Sequence, residues 1–233
     1  MFTQNICFLI FLGGDILMEY YPRQAVWEMT LKRNMNCMHC GSKAGAKQKH
    51  ELSFDKCIDI ANQLISMNLK MIALIGGELF FKKGWEKIAK MFIDAKMHTN
   101  IITNGYHISD NQYEQIKESG ISQVGISMDG MEEAHNKIRG KQDGFKEIIK
   151  TFKKLKSMGY STEAITTISK LNINDLEEMY NLLTALHVDV WQLQLCSPMG
   201  NAKNQEDFLI SKNEVTYITN FIRKKIKIRK CYW

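Results

Sequence analysis

Short apolar runs alternate with longer amphipathic stretches along nearly the whole chain. The first run, Ala25–Leu31, reads as a strand that leads into a loop with two close cysteines. A helical period follows from about Ser53 to Met67, with Ser53 as the N-cap and Ile58, Leu64 and Ile65 among its apolar positions. Met71–Ile75 is almost continuously apolar and reads as a second strand, ending at Gly76-Gly77-Glu78. Further strands are expected at Thr99–Ile102, Gln123–Ser127, Thr162–Ile168 and Val188–Leu195. Helical spacing recurs at Trp85–Lys96, Asp110–Glu118, Gly144–Met158, Asp175–Leu186 and roughly Glu214–Ile228, with Gly120 and Gly159 as stop signals. Strands alternating with helices imply an α/β fold with a parallel sheet, because parallel strands need crossover connections. Six such units are two short of a closed eightfold barrel, so a partial (β/α)6 barrel and an open sheet both fit.

Composition narrows the class without naming an activity. A chain of 233 residues with 45% hydrophobic and 24% charged positions buries a substantial core and is not disordered. The net charge of +6 is concentrated in Arg223–Lys230, which reads as the solvated face of a terminal helix and not as a nucleic-acid surface. Six cysteines, two at metal-ligand spacing and the rest scattered, make no disulfide framework and fit a reducing cytoplasm. No run reaches the roughly 20 apolar residues of a membrane span. Ile6–Leu12 resembles a short secretory core, but no basic residue precedes it and Gly13-Gly14-Asp15 is a poor cleavage region. Met18 is a candidate start. The expected organisation is an extension over 1–18, a core domain over 19–205 and a C-terminal helix over 206–233.

Candidate chemistry falls at the carboxyl ends of successive strands. Cys37 and Cys40, with His39 between them, follow the first; Gly76, Gly77 and Glu78 the second; Asn104 the third; Ser127 and Asp129 the fourth. Arg139 lies a little further on, and Gln192 and Gln194 sit on the sixth strand. In parallel α/β folds these ends meet on one rim, where sites form. Each motif alone has a plain reading: Gly-Gly can be a turn with positive φ, Asn-Gly and Asp-Gly are common turn pairs, and His39 or Arg139 can be ordinary surface residues. The CxxC is sharper and points to metal or redox chemistry.

In combination and order, these motifs resemble the radical S-adenosylmethionine (SAM) enzymes, within them the peptide- and protein-modifying group that carries a C-terminal SPASM extension. The likeness rests on Trp27–Lys32, Asn34–Ser42, Gly76-Gly77-Glu78, Thr103-Asn104-Gly105, Ile126–Gly130, His135–Gly140 and Pro198–Ala202. It implies a partial barrel holding a [4Fe–4S] cluster and SAM, whose reductive cleavage yields a radical that abstracts hydrogen from a peptide or protein substrate. An electron donor such as a flavodoxin or ferredoxin is implied as well. In the family three cysteines hold the cluster, and its fourth iron takes the amino and carboxylate groups of SAM. By resemblance, Cys37 and Cys40 are two of the cluster ligands and His39 packs near the adenine. Gly76 and Gly77 admit the cofactor to the backbone, and Glu78 takes its ammonium. Asn104, Ser127 and Asp129 match ribose or methionine contacts, Arg139 offers a fork to the carboxylate, and Gln194 borders adenine or substrate.

Two departures stand out. Arg33 occupies the place of the first cluster cysteine, and a guanidinium ligates no iron. The chain also ends before any cysteine-rich extension. The resemblance thus leaves two readings: a radical SAM enzyme core, or a non-catalytic SAM-binding or scaffold protein, the latter including an inactive fragment.

Overall fold

The computed structural model describes residues 22–42, 51–205 and 208–225. Six parallel strands form one sheet in strict chain order: β1 (Gln24–Glu28), β2 (Met71–Ile75), β3 (His98–Thr103), β4 (Gln123–Ser127), β5 (Ser161–Ile168) and β6 (Val190–Leu195). Helices α1 (Phe54–Ser66), α2 (Trp85–Asp94) and α3 (Asp110–Ser119) make the first three crossovers. Two helices, α4 (Glu132–Arg139) and α5 (Gly144–Ser157), share the fourth; α6 (Leu176–Ala185) makes the fifth, and α7 (Lys212–Lys225) follows β6. The sheet curls into a half-barrel with its helices outside, which decides between the two architectures that the pattern allowed.

Side chains alternate along a strand, and that alternation separates core from cavity. Ile72, Leu74, Ile101, Val124, Ile126 and Ala164 point outward and are fully buried against Ile88, Phe92, Ile148, Phe152 and Leu155 of the helices. Each large side chain buried in this way contributes roughly 1.5–3 kcal/mol. The opposite set, from Ala73 through Asn100, Ser127 and Thr167 to Gln194, faces the concave side.

Ser53 caps α1 by accepting from the Lys56 amide, and Gly120 closes α3 in the left-handed conformation, as the sequence indicates. Two details differ. The strand expected to reach Leu31 ends at Glu28, but the chain stays tied to β2: the Met29 amide donates to Ile75, and the Gly77 and Glu78 amides donate to Thr30 and Lys32. α4 is not among the expected helices; its eight residues are half charged and offer few apolar positions to mark a helix, and Ala134, His135 and Ile138 are buried along it. The C-terminal helix is described to Lys225, so its expected end, like residues 1–18, lies outside the described residues. No helix among the described residues is long and apolar enough to cross a membrane.

Candidate functional site

The strand ends enclose one cavity of about 840 Å³ on the concave face. Cys37, His39 and Cys40 line it from the β1 side, with Gly76, Gly77 and Glu78 from β2 and Asn104 from β3. Ser127, Arg139 and Gln194 complete the set of expected residues on its wall. Asp129 alone of that set does not line it.

The cysteine loop is fixed by neighbours far away in sequence. A tight turn brings the Cys40 amide to the Cys37 carbonyl at 3.3 Å, and the Met38 amide donates to Ile138. The segment after β6 clasps the loop from its other side: the Asn201 amide donates to Cys40, Asn201 Nδ2 to the Cys37 carbonyl at 2.9 Å, and Gln205 Nε2 to Met38. Gly200, at φ +57°, lies so close to the Cys40 carbonyl that a Cβ would sit 2.0 Å from it. Arg33 lines the same cavity and donates from Nη2 to Asn36 Oδ1 at 2.8 Å.

Gly76 and Gly77 answer a packing demand, and neither has positive φ, so the turn reading fails. A Cβ on Gly76 would stand 2.9 Å from the Thr30 carbonyl, and one on Gly77 2.5 Å from that of Lys32. Their lack of side chains is what lets the β1 and β2 loops meet. That contact sets Glu78, which is buried. Its Oε1 accepts from the Thr103 hydroxyl and its Oε2 from the Asn104 amide, both at 2.9 Å. Burial raises the Glu78 carboxyl to about 6, against the pull of these hydrogen bonds. Asn104 in turn donates through Nδ2 to Asn34 Oδ1 at 2.7 Å, which ties the β3 end to the cysteine loop.

Asp129 organises the wall from behind. Its side chain is wholly buried, with Oδ2 2.7 Å from His39 Nε2 and 2.6 Å from Arg139 Nε, while Oδ1 accepts from the Thr167 amide. Burial alone would raise this carboxyl, yet Arg139 and His39 hold it well below the usual range. Arg139 also donates from Nη1 to Cys37 Sγ at 3.6 Å. The expected ligand contact for Asp129 therefore gives way to a positioning role: it aims His39 and Arg139. His135 was not singled out from sequence. Its Nδ1 accepts from the Asp129 amide, and burial lowers its pKa to about 3, so it stays neutral. Gln194 is held by Thr167, to whose hydroxyl its Nε2 donates at 2.8 Å. Asn34, Thr103 and Asn201 lie in stretches that carry the resemblance but have no role assigned there, and Thr167 is not singled out; all are common polar residues whose contacts are tertiary.

A curled parallel half-barrel with a CxxC loop and a Gly-Gly-Glu turn at its carboxyl rim defines a class of cofactor-binding domains. The model of the radical SAM superfamily matches residues 29–183, and the chain belongs to that superfamily. It is 25% identical over 194 residues to an AdoMet-dependent heme synthase of Methanosarcina barkeri, covering 82% of this chain and 56% of the relative. It is 28% identical over 161 residues to the sporulation killing factor maturation protein SkfB of Bacillus subtilis, covering 69% and 39% respectively. The fold matches the SAM-bound structure of Streptococcus suis SuiB with a TM-score of 0.73 at 15% identity, over 88% of this chain and 47% of that one. The chain thus spans about half the length of these relatives.

Family membership brings two cofactors, SAM and a [4Fe–4S] cluster. The cavity has the chemistry for the first: polar side chains such as Asn100, Gln192 and Gln194 line it among apolar ones, and Glu78 adds a carboxyl group. Toward the cluster it offers two thiols, Cys37 and Cys40, and Arg33 lines the same wall. Among the described residues, no group of three or more His, Cys, Asp or Glu side chains is placed to hold a metal ion. Among the described residues the ligand set for the cluster is therefore incomplete; Cys7 and Cys231 lie outside them.

Proposed function

We propose that this chain is a radical SAM core domain whose cavity binds S-adenosylmethionine, and that its substrate is a peptide or protein. One observation carries the reading: residues chosen by motif at five strand ends and on α4, Asp129 excepted, border a single cavity on the concave face. Glu78 holds the ammonium of the methionine moiety, and His39 and Gln194 border the adenine. Asn104 and Ser127 contact ribose or methionine, while Arg139, aimed by Asp129, stands beside the Cys37 thiolate. Within the family, cluster and SAM together supply a radical that abstracts hydrogen, with an electron from a flavodoxin- or ferredoxin-like donor. The peptide substrate is supported by likeness to SkfB, a maturation protein, and to SuiB, whose structure has been solved with its precursor peptide. Free thiols at Cys37, Cys40, Cys57 and Cys196 suit a reducing cytoplasm.

Arg33 favours a second reading, in which the domain keeps SAM but not the cluster and acts as a binding or scaffold protein. Iron and sulfide per chain, measured after anaerobic reconstitution of the parent and of Arg33→Cys, separate the two. About four irons in the parent support the enzyme. Iron in the variant alone supports the non-catalytic reading, with an otherwise intact pocket.

A further inference from the structure

We infer that Arg33 grips the carboxylate of S-adenosylmethionine directly, so that this cavity binds the cofactor without iron. The inference rests on the SAM-binding reading above. It starts from an unfilled donor. Arg33 Nη2 is engaged by Asn36, but Nη1 is sealed from solvent and meets no acceptor among the described residues. Leaving a guanidinium N–H in that state is costly, and a turn of the Arg33 side chain toward the cavity it lines presents that donor to an incoming carboxylate, which relieves the cost. A planar guanidinium fork matches a carboxylate better than any other side chain does.

The rest of the rim leaves this task to Arg33. Arg139 is balanced by Asp129 at 2.6 Å, and its Nη1 faces the Cys37 sulfur. Glu78 supplies the opposite charge, and it is tied to the Arg33 segment, because its amide donates to the carbonyl of Lys32 at 2.8 Å. An anion and a cation thus rise from two backbone segments joined by hydrogen bonds and face one cavity. That arrangement suits the zwitterion of an α-amino acid: ammonium to Glu78, carboxylate to Arg33. In the family, one iron of the cluster meets both groups. Here the residue that displaces a cluster thiolate also takes over the carboxylate contact.

The test uses the full chain, stripped of iron, in equilibrium dialysis against two probes: S-adenosylmethionine and its decarboxylated analogue. The iron-free parent is expected to prefer the carboxylated probe by about tenfold or more, as for a charge-assisted hydrogen bond. Arg33→Ala and the gentler Arg33→Gln are expected to erase that preference while leaving weak binding of the analogue. The probe ratio in the parent needs no variant, so a misfolded mutant does not spoil the test. Equal affinity of the parent for both probes overturns the inference, as does a preference that survives in Arg33→Gln. Binding by the parent only after iron reconstitution also overturns it, while the SAM-pocket reading stands. No binding in any state, reconstituted Arg33→Cys included, brings down that reading too.

Discussion

Asp129 shows how one side chain can govern a site it never borders. Its carboxylate, with no exposure to solvent, holds Arg139 and His39 on the cavity wall and anchors the Thr167 amide on β5. Replacing it by Asn leaves the Arg139 charge buried and uncompensated. Asp129→Asn is therefore expected to lose about 3 kcal/mol or more of stability in urea denaturation. Gly77 makes a steric prediction: Gly77→Ala presses a Cβ onto the Lys32 carbonyl and should cost about 1–3 kcal/mol, whereas Gly41→Ala, with open space around it, should be neutral. Thermal melts of the two variants check this. His135 makes a prediction about pH. Its folded pKa of about 3 lies below the ordinary 6.5, so the unfolded chain takes up the proton first, and this group's contribution to stability falls as pH drops below 6.5. The raised carboxyl of Glu78 acts oppositely, adding stability as pH falls through about 6. The two are separated by His135→Asn, whose side-chain oxygen can still accept from the Asp129 amide. Between pH 6.5 and 5 the variant should gain on the parent by on the order of 1 kcal/mol, and parallel pH profiles would contradict the assignment. Asp129 and Glu78 were visible in the sequence as residues, but their tasks were not. An Asp-Gly pair looks the same whether its carboxylate meets a ligand or, as here, a guanidinium and an imidazole from behind the wall.

At the level of elements, the loop after β6 is the clasp of the cysteine loop. Asn201 reaches both cysteine carbonyls, one through its amide and one through its side chain. Asn201→Ala is expected to speed the labelling of Cys37 and Cys40 by a thiol reagent several-fold with little change at buried Cys57. Mass spectrometry of the labelled peptides reads this directly, and equal rates in parent and variant would deny the clasp. The strands and most helices were legible because apolar alternation and caps such as Ser53 are local signals. α4 was not, because Glu132–Arg139 is short and half charged and offers few apolar positions to mark a helix. The partnership of Pro198–Ala202 with Cys37–Cys40 was illegible for a related reason. Hydrogen bonds between segments so far apart in sequence leave no periodicity to read.

For the whole molecule, the curled six-stranded sheet gathers loops from along the chain onto one concave rim, and the same parity that fills the core exposes the cavity wall. The half-barrel belongs to the radical SAM superfamily, and the chain covers about half the length of the relatives described above. A cation, Arg33, lines its cavity together with Cys37 and Cys40. The central claim, that the cavity is a SAM site, is met most directly by equilibrium dialysis of labelled S-adenosylmethionine against the full chain, with Glu78→Gln beside it. Saturable binding of one molecule per chain, displaced by S-adenosylhomocysteine and weakened by the Glu78 variant, is expected. Absence of saturable binding by the parent, both iron-free and after anaerobic reconstitution, would contradict it.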